Sequence, residues 1–220
     1  RNRQRALLPA VAFEQGTRHA VQFSCGGVHV DLLPTPAYAG TPKLMQLQKD
    51  AFGTEASPFF SVGFAEDQVA RMKAELDKDS ADSGQRRRAV RWLKHWRDEQ
   101  TPSLKSSGLS SYLVELIAVD TAASMLSAKT SAGASSSAAT SAVFSTAALV
   151  ERVLSRLAKS TTSPMAIYSG WPARQIPVEH RSKRHVVIDI ANPFVDVADR
   201  TDWPSVAEAA GAEIKRQFTA

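Results

Sequence analysis

From residue 20 the chain alternates apolar and polar positions with a period of two. Ala20-Val21-Gln22-Phe23-Ser24-Cys25 is predicted as a strand, Gly26-Gly27 as a hairpin turn, and Val28-His29-Val30-Asp31-Leu32-Leu33 as the returning strand. Pro34 and Pro36 end it, because proline donates nothing to a ladder. The basic-then-apolar residues 1–12 read as the end of an amphipathic helix or a linker. Beyond a Pro/Gly/Thr loop with a short helical stretch near Lys43–Asp50, the period becomes helical. Helices are predicted over Ala65–Lys78, Gln85–Glu99, Ser110–Leu126, Val143–Ala158 and 203–218, the last capped by Asp202. Ala89, Val90, Trp92, Leu93 and Trp96 form the apolar stripe of the second, which makes both tryptophans core residues. The third is apolar nearly all round, which predicts a central helix. Residues 127–141 are Ser/Ala/Gly-rich and read as a loop or frayed helix end, and Val186–Ile190 as a short strand.

Composition adds little against this pattern. The 220 residues are 43% hydrophobic and 22% charged, which suits a folded chain and excludes a fibrous repeat. No uninterrupted apolar run has the ~18 residues of a transmembrane helix, so no membrane is expected. The single cysteine, Cys25, excludes an internal disulfide and a thiolate zinc cluster, and points to a reducing compartment. Net charge is +5, which suits an anionic ligand. The chain begins at Arg1 rather than Met, as expected of a processed product or a piece of a longer polypeptide.

Three places carry candidate chemistry. Asp31 is a carboxylate in an apolar strand; it reads either as a metal ligand or proton acceptor, or as an edge-strand Asp facing solvent. Arg87, Arg91 and Lys94 share one helix face at i, i+4 and i+7, and would repel one another unless an anion, a triphosphate or a nucleic-acid backbone, lies among them; the alternative is a solvated basic face. The run His180-Arg181-Ser182-Lys183-Arg184-His185 reads as a solvated loop or a phosphate contact. Tyr112 and Trp171 are placed to stack a base or to serve the core. No P-loop, G-x-S-x-G or G-x-G-x-x-G motif is present.

Four segments together resemble the 2′-5′-oligoadenylate synthetases and the related cyclic GMP-AMP synthase-like nucleotidyltransferases. Val28-His29-Val30-Asp31-Leu32-Leu33-Pro34 is similar to the strand with the third catalytic aspartate. Arg91-Trp92-Leu93-Lys94-His95-Trp96 resembles the K-H-W helix, and Ser111-Tyr112-Leu113-Val114-Glu115-Leu116 the Y-x-x-E-L helix. Val187-Ile188-Asp189-Ile190-Ala191-Asn192-Pro193 with Asp202-Trp203 resembles the late strand and last helix. The resemblance implies an α+β fold: the C-terminal part of a nucleotidyltransferase core in residues 1–60, then a helical domain over 61–220 with its strand at 186–190. It implies an intracellular enzyme, cytoplasmic or nuclear, that joins ATP-derived nucleotides and releases pyrophosphate with two Mg²⁺ ions. Asp31 would be catalytic and a metal ligand. Arg91, Lys94, Ser111 and Tyr112 would bind nucleotide, and Arg86, Arg87 and Arg88 a double-stranded RNA activator. The family has Gln where this chain has Ser111. Its Gly-Ser loop and D-x-D pair have no counterpart in residues 1–30, which contain no Asp. That departure admits a second expectation: a catalytically inactive relative acting as an RNA-binding or scaffold subunit.

Overall fold

The computed structural model describes residues 11–16, 21–25, 28–32, 41–54, 63–78, 83–100, 103–131 and 145–218. It divides into two compact units, Arg1–Ala65 and Glu66–Ala220, where the sequence placed a division at 60/61. The described residues are mostly helical with few strands, an α+β composition in the coarse sense.

In the first unit, β1 (Val11–Gly16), β2 (Val21–Cys25) and β3 (Val28–Leu32) form an antiparallel meander in the order β1-β2-β3. Cys25 pairs with Val28, the register that a two-residue turn at Gly26-Gly27 demands, and Gln22 pairs with Asp31. β1 corrects the sequence reading, which gave residues 11 and 12 to a helix end or linker. Its ladder with β2 carries an irregularity between Phe13 and Gln15. Helix α1 follows at Thr41–Ala51.

The second unit is built on α2 (Ala65–Asp77), α3 (Ser83–Glu99), the single turn α4 (Ser103–Ser106), α5 (Ser111–Ser131), α6 (Thr146–Ala158) and α8 (Trp203–Phe218). Between α6 and α8 lie β4 (Met165–Ile167), a 3₁₀ turn, the short α7 (Val178–Arg181) and β5 (His185–Val187). The core forms where α3, α5, α6 and α8 meet. α3 contributes Ala89, Val90, Leu93 and Trp96, α5 contributes Leu113, Val114, Leu116 and Ile117, and α6 contributes Leu149, Val150, Val153, Leu154 and Leu157. Trp96 is 2% exposed, but Trp92 is only half-buried, so one of the two predicted core tryptophans sits at the margin. Ser145 caps α6 by accepting from the Ala148 N–H at 3.1 Å. Asp202 caps α8, its carboxylate accepting from the Ser205 N–H at 3.5 Å and from the Ser205 hydroxyl at 2.6 Å.

Helix α5 runs to Ser131, five residues beyond its predicted end and into the low-complexity stretch, where the Ser127 hydroxyl bonds back to the Ala123 carbonyl at 3.1 Å. Its window Ser111–Ala128 has the length and apolar composition of a membrane span, and Leu113, Val114, Leu116, Ile117, Ala118 and Ala122 within it are buried in the core. β4 was not foreseen: three residues are too short for a period to register. It pairs parallel with β5, Ile167 opposite Val187, and the chain between them folds Ile176 against Val186 and Ile188. Asp196 fastens the far side. Its carboxylate accepts from the Val187 and Ala198 N–H groups at 3.0 Å each and from the Lys183 ammonium at 3.0 Å.

Candidate nucleotide site

The residues that follow β5 turn sharply, and the turn is organised by a buried carboxylate. Asp189 is 1% exposed. Its Oδ1 accepts from the Ala191 N–H at 2.7 Å and the Asn192 N–H at 3.0 Å, and its Oδ2 from the Gln68 amide of α2. Burial pushes the Asp189 carboxyl above its ordinary range, against the pull of those donors. The Trp171 indole N–H donates to the Asp189 carbonyl at 2.8 Å, and the Ser169 hydroxyl to the Ile188 carbonyl at 2.5 Å. Arg71 of α2 donates to the Ile190 carbonyl at 3.2 Å and lies 5.3 Å from the Trp171 ring, a cation–π contact.

Tyr112, in the first turn of α5, faces this turn. Its Oη is buried against the Asp189 carboxylate and the Ile190 backbone, both of which act on it as hydrogen-bonding neighbours, although neither contact has full hydrogen-bond geometry. Desolvation first, then the Asp189 charge, pushes the phenol well above its usual range, so it stays protonated. The Asn192 Nδ2 is buried without a partner among the described residues. One turn along α5, Glu115 pairs with Lys94 of α3. α3, the first turns of α5, the post-β5 turn and α2 thus bring Lys94, Glu115, Tyr112, Asp189, Asn192, Gln68 and Arg71 to one region. It holds the unpartnered buried Asn192 amide, the Tyr112 hydroxyl against Asp189, an exposed guanidinium and an aromatic ring. A ligand with acceptor atoms would satisfy the Asn192 amide.

The other predicted site residues are dispersed. Ser111 is half-buried, and its hydroxyl accepts from Arg97 of α3 at 2.5 Å. Arg91 is exposed. The proposed like-charge face of α3 is broken by two carboxylates, Asp77 on Arg87 and Glu115 on Lys94. Arg86 corrects the RNA assignment: it is 3% exposed and donates to the Glu75 carbonyl at 2.8 Å, which joins α3 to α2 and removes it from any surface contact. Arg88 is exposed. Asp31 lies on β3, an edge strand of the described meander, where it pairs with Gln22; its side chain lies outside the described residues. Among the described residues no group of three His, Cys, Asp or Glu side chains gathers to hold a metal ion, and one carboxylate does not make a two-ion site.

The basic run that leads into β5 is tied to the protein's own carbonyls and carboxylates, while Arg181, Ser182 and Arg184 stay exposed. Lys183 bridges Asp196 and Asp199, Arg181 donates to the Ile176 carbonyl at 3.1 Å, and Arg184 to the Thr161 carbonyl at 2.5 Å. His180 Nε2 lies 3.1 Å from the Phe194 carbonyl, and His185 stacks at 4.8 Å on Trp203. Gln68 and Arg71 had no signal in the sequence beyond a polar helix face at i, i+3. Asp189 and Glu115 sat inside quoted motifs without a role, and a buried carboxylate between apolar residues was the available clue.

No protein-family model, no curated protein and no solved structure matches this chain.

Proposed function

We propose that the unit Glu66–Ala220 binds a nucleotide at the Lys94–Tyr112–Asp189 cluster, and that the chain serves a nucleotidyltransferase of the oligoadenylate-synthetase type, joining ATP-derived nucleotides with release of pyrophosphate. The observation that carries the reading is the buried meeting of the Tyr112 hydroxyl with the Asp189 carboxylate beside the unpartnered Asn192 amide, with Tyr112 at a position the family resemblance gives to the nucleotide. Three of the resembling segments converge there, through Lys94, Tyr112 with Glu115, and Asp189. In this reading Tyr112 and Asn192 donate to base or sugar oxygens. Arg71 and Lys94 meet the phosphates, Lys94 by exchanging Glu115 for a phosphoryl oxygen, and Trp171 offers its face to the base. Asp31 remains the carboxylate assigned to metal by resemblance. The nucleotidyltransferase core belongs to this proposal alone.

A catalytically inactive relative that binds nucleotide or RNA without turnover is the second reading. Calorimetric titration of ATP separates binding from its absence. Lys94→Ala and Tyr112→Phe are each expected to weaken ATP about tenfold or more, the loss of one hydrogen bond to a charged or buried partner. Unchanged affinity in both variants contradicts the site. If duplex RNA binds, Arg88→Ala lowers the slope of log affinity against log salt by about one, while Arg86→Ala lowers stability instead. Pyrophosphate release from ATP, lost in Asp31→Asn, separates the enzyme from the inactive relative.

A further inference from the structure

We propose a second ligand site, for a small organic phosphate with an apolar body, in the cleft between the C-terminal halves of α5 and α6. The cleft encloses about 590 Å³, within the range of small-molecule pockets. One wall is the α6 face that carries Arg152, Ser155, Arg156 and Lys159 at i, i+3, i+4 and i+7. The other carries an apolar patch, Met125 of α5 with Pro164 and with Met165 at the start of β4, among the small polar residues Thr121, Ser124 and Ser163.

The charge on this face is not balanced. Arg156 donates to Asp120 at 2.5 Å and to the Thr121 hydroxyl at 3.3 Å, so it is neutralised in place. Arg152 and Lys159 line the cleft, both are exposed, and neither has an ion-pair or side-chain hydrogen-bond partner among the described residues. No carboxylate belongs to the described lining. Three cations within two helical turns repel one another, and a single counter-charge leaves an excess that an anion relieves. Two carbonyls in the last turn of α6 are taken by the chain that follows, Ser155 by the Lys159 N–H at 3.3 Å and Leu157 by the Ser160 N–H at 3.0 Å.

The occupant follows from the two walls. Inorganic phosphate satisfies the cations and leaves the methionine wall bare; a neutral hydrophobe does the reverse. A phosphate monoester of an aromatic or short aliphatic group satisfies both. This site is separate from the Tyr112 cluster, since Met125 lies thirteen residues further along α5, roughly 20 Å.

The test uses the full chain with phenyl phosphate, inorganic phosphate and phenol as probes. Phenyl phosphate is expected to bind at least tenfold more tightly than either half. Arg152→Gln and Lys159→Gln should each weaken it about tenfold, while Lys94→Ala leaves it unchanged. The four methionines give a direct readout in the unmodified protein. The methyl resonances of Met125 and Met165 should move with phenyl phosphate, and those of Met45 and Met72 should stay. Phenyl phosphate binding no tighter than inorganic phosphate, unmoved Met125 and Met165 signals, or a loss caused by Lys94→Ala but not by Arg152→Gln would each overturn the proposal. The last outcome would move the binding to the Tyr112 cluster, so failure here and failure of the nucleotide reading remain distinguishable.

Discussion

Single side chains decide most of the chemistry in this molecule, and two make measurable claims. Trp96 fills the junction of α3 with the core at 2% exposure. Trp96→Ala leaves a large cavity and should cost about 3–5 kcal/mol in urea denaturation. A loss under about 1 kcal/mol would show the ring to be peripheral. Asp189 makes a claim about pH. Its folded carboxyl is raised by burial, so the folded protein holds that proton more tightly than the unfolded chain. The corresponding stability is fully present below the ordinary carboxyl range, near 3.8, and is lost as pH rises from there through the raised value. Asp189→Asn cannot titrate. The stability difference, wild type minus variant, should therefore shrink as pH rises, read from denaturation midpoints across the acidic range. A difference that is flat or grows with pH contradicts the buried, proton-retaining carboxyl.

At the scale of elements, the long helices and the β2–β3 hairpin were legible because their periods persist over many residues. Trp203–Phe218 was predicted to the residue, since Asp202 supplies the cap and Val206, Ala207 and Ala210 the apolar stripe. β1 and β4 were missed for opposite reasons. β1 is preceded by a basic run that suggests a helix or linker, and β4 is three residues whose pairing with β5 depends on chain twenty residues away. Of the candidate site, Lys94 and Tyr112 were legible as motif residues. Their partners were not, because Glu115 on Lys94 and Asp189 beside Tyr112 arise from tertiary packing. The turn between α4 and α5 shows the same dependence. Gly108 has φ +77°, and a Cβ there would stand 2.4 Å from the Arg200 carbonyl oxygen, while the Asp202 N–H donates to Ser107 at 2.7 Å. Gly108→Ala combines a left-handed backbone with a clash that only main-chain movement relieves. It should cost about 2 kcal/mol or more in thermal or chemical denaturation, whereas Gly211→Ala, in the open interior of α8, should stabilise slightly. Equal effects of the two would refute the locked turn.

For the whole molecule, function rests on whether the helical unit presents a nucleotide site. The positive charge of +5 is too diffuse to decide it, since Arg86, Arg87, Arg97, Arg156, Lys94 and Lys183 are all engaged by carbonyls or carboxylates of the protein itself. What the candidate nucleotide site itself offers is local: the Tyr112 hydroxyl, the Asn192 amide, and Arg71 over Trp171. The Trp171 indole N–H, bonded to the Asp189 carbonyl at 2.8 Å, reports on this region. The most direct measurement is therefore its nuclear magnetic resonance signal during an ATP titration of the full chain. The account predicts a saturable shift of the Trp171 signal, with Trp96 in the core unmoved, and a shift that needs about tenfold more ATP in Tyr112→Phe. A Trp171 signal that stays fixed at saturating ATP, or one that titrates identically in Tyr112→Phe and wild type, would contradict it.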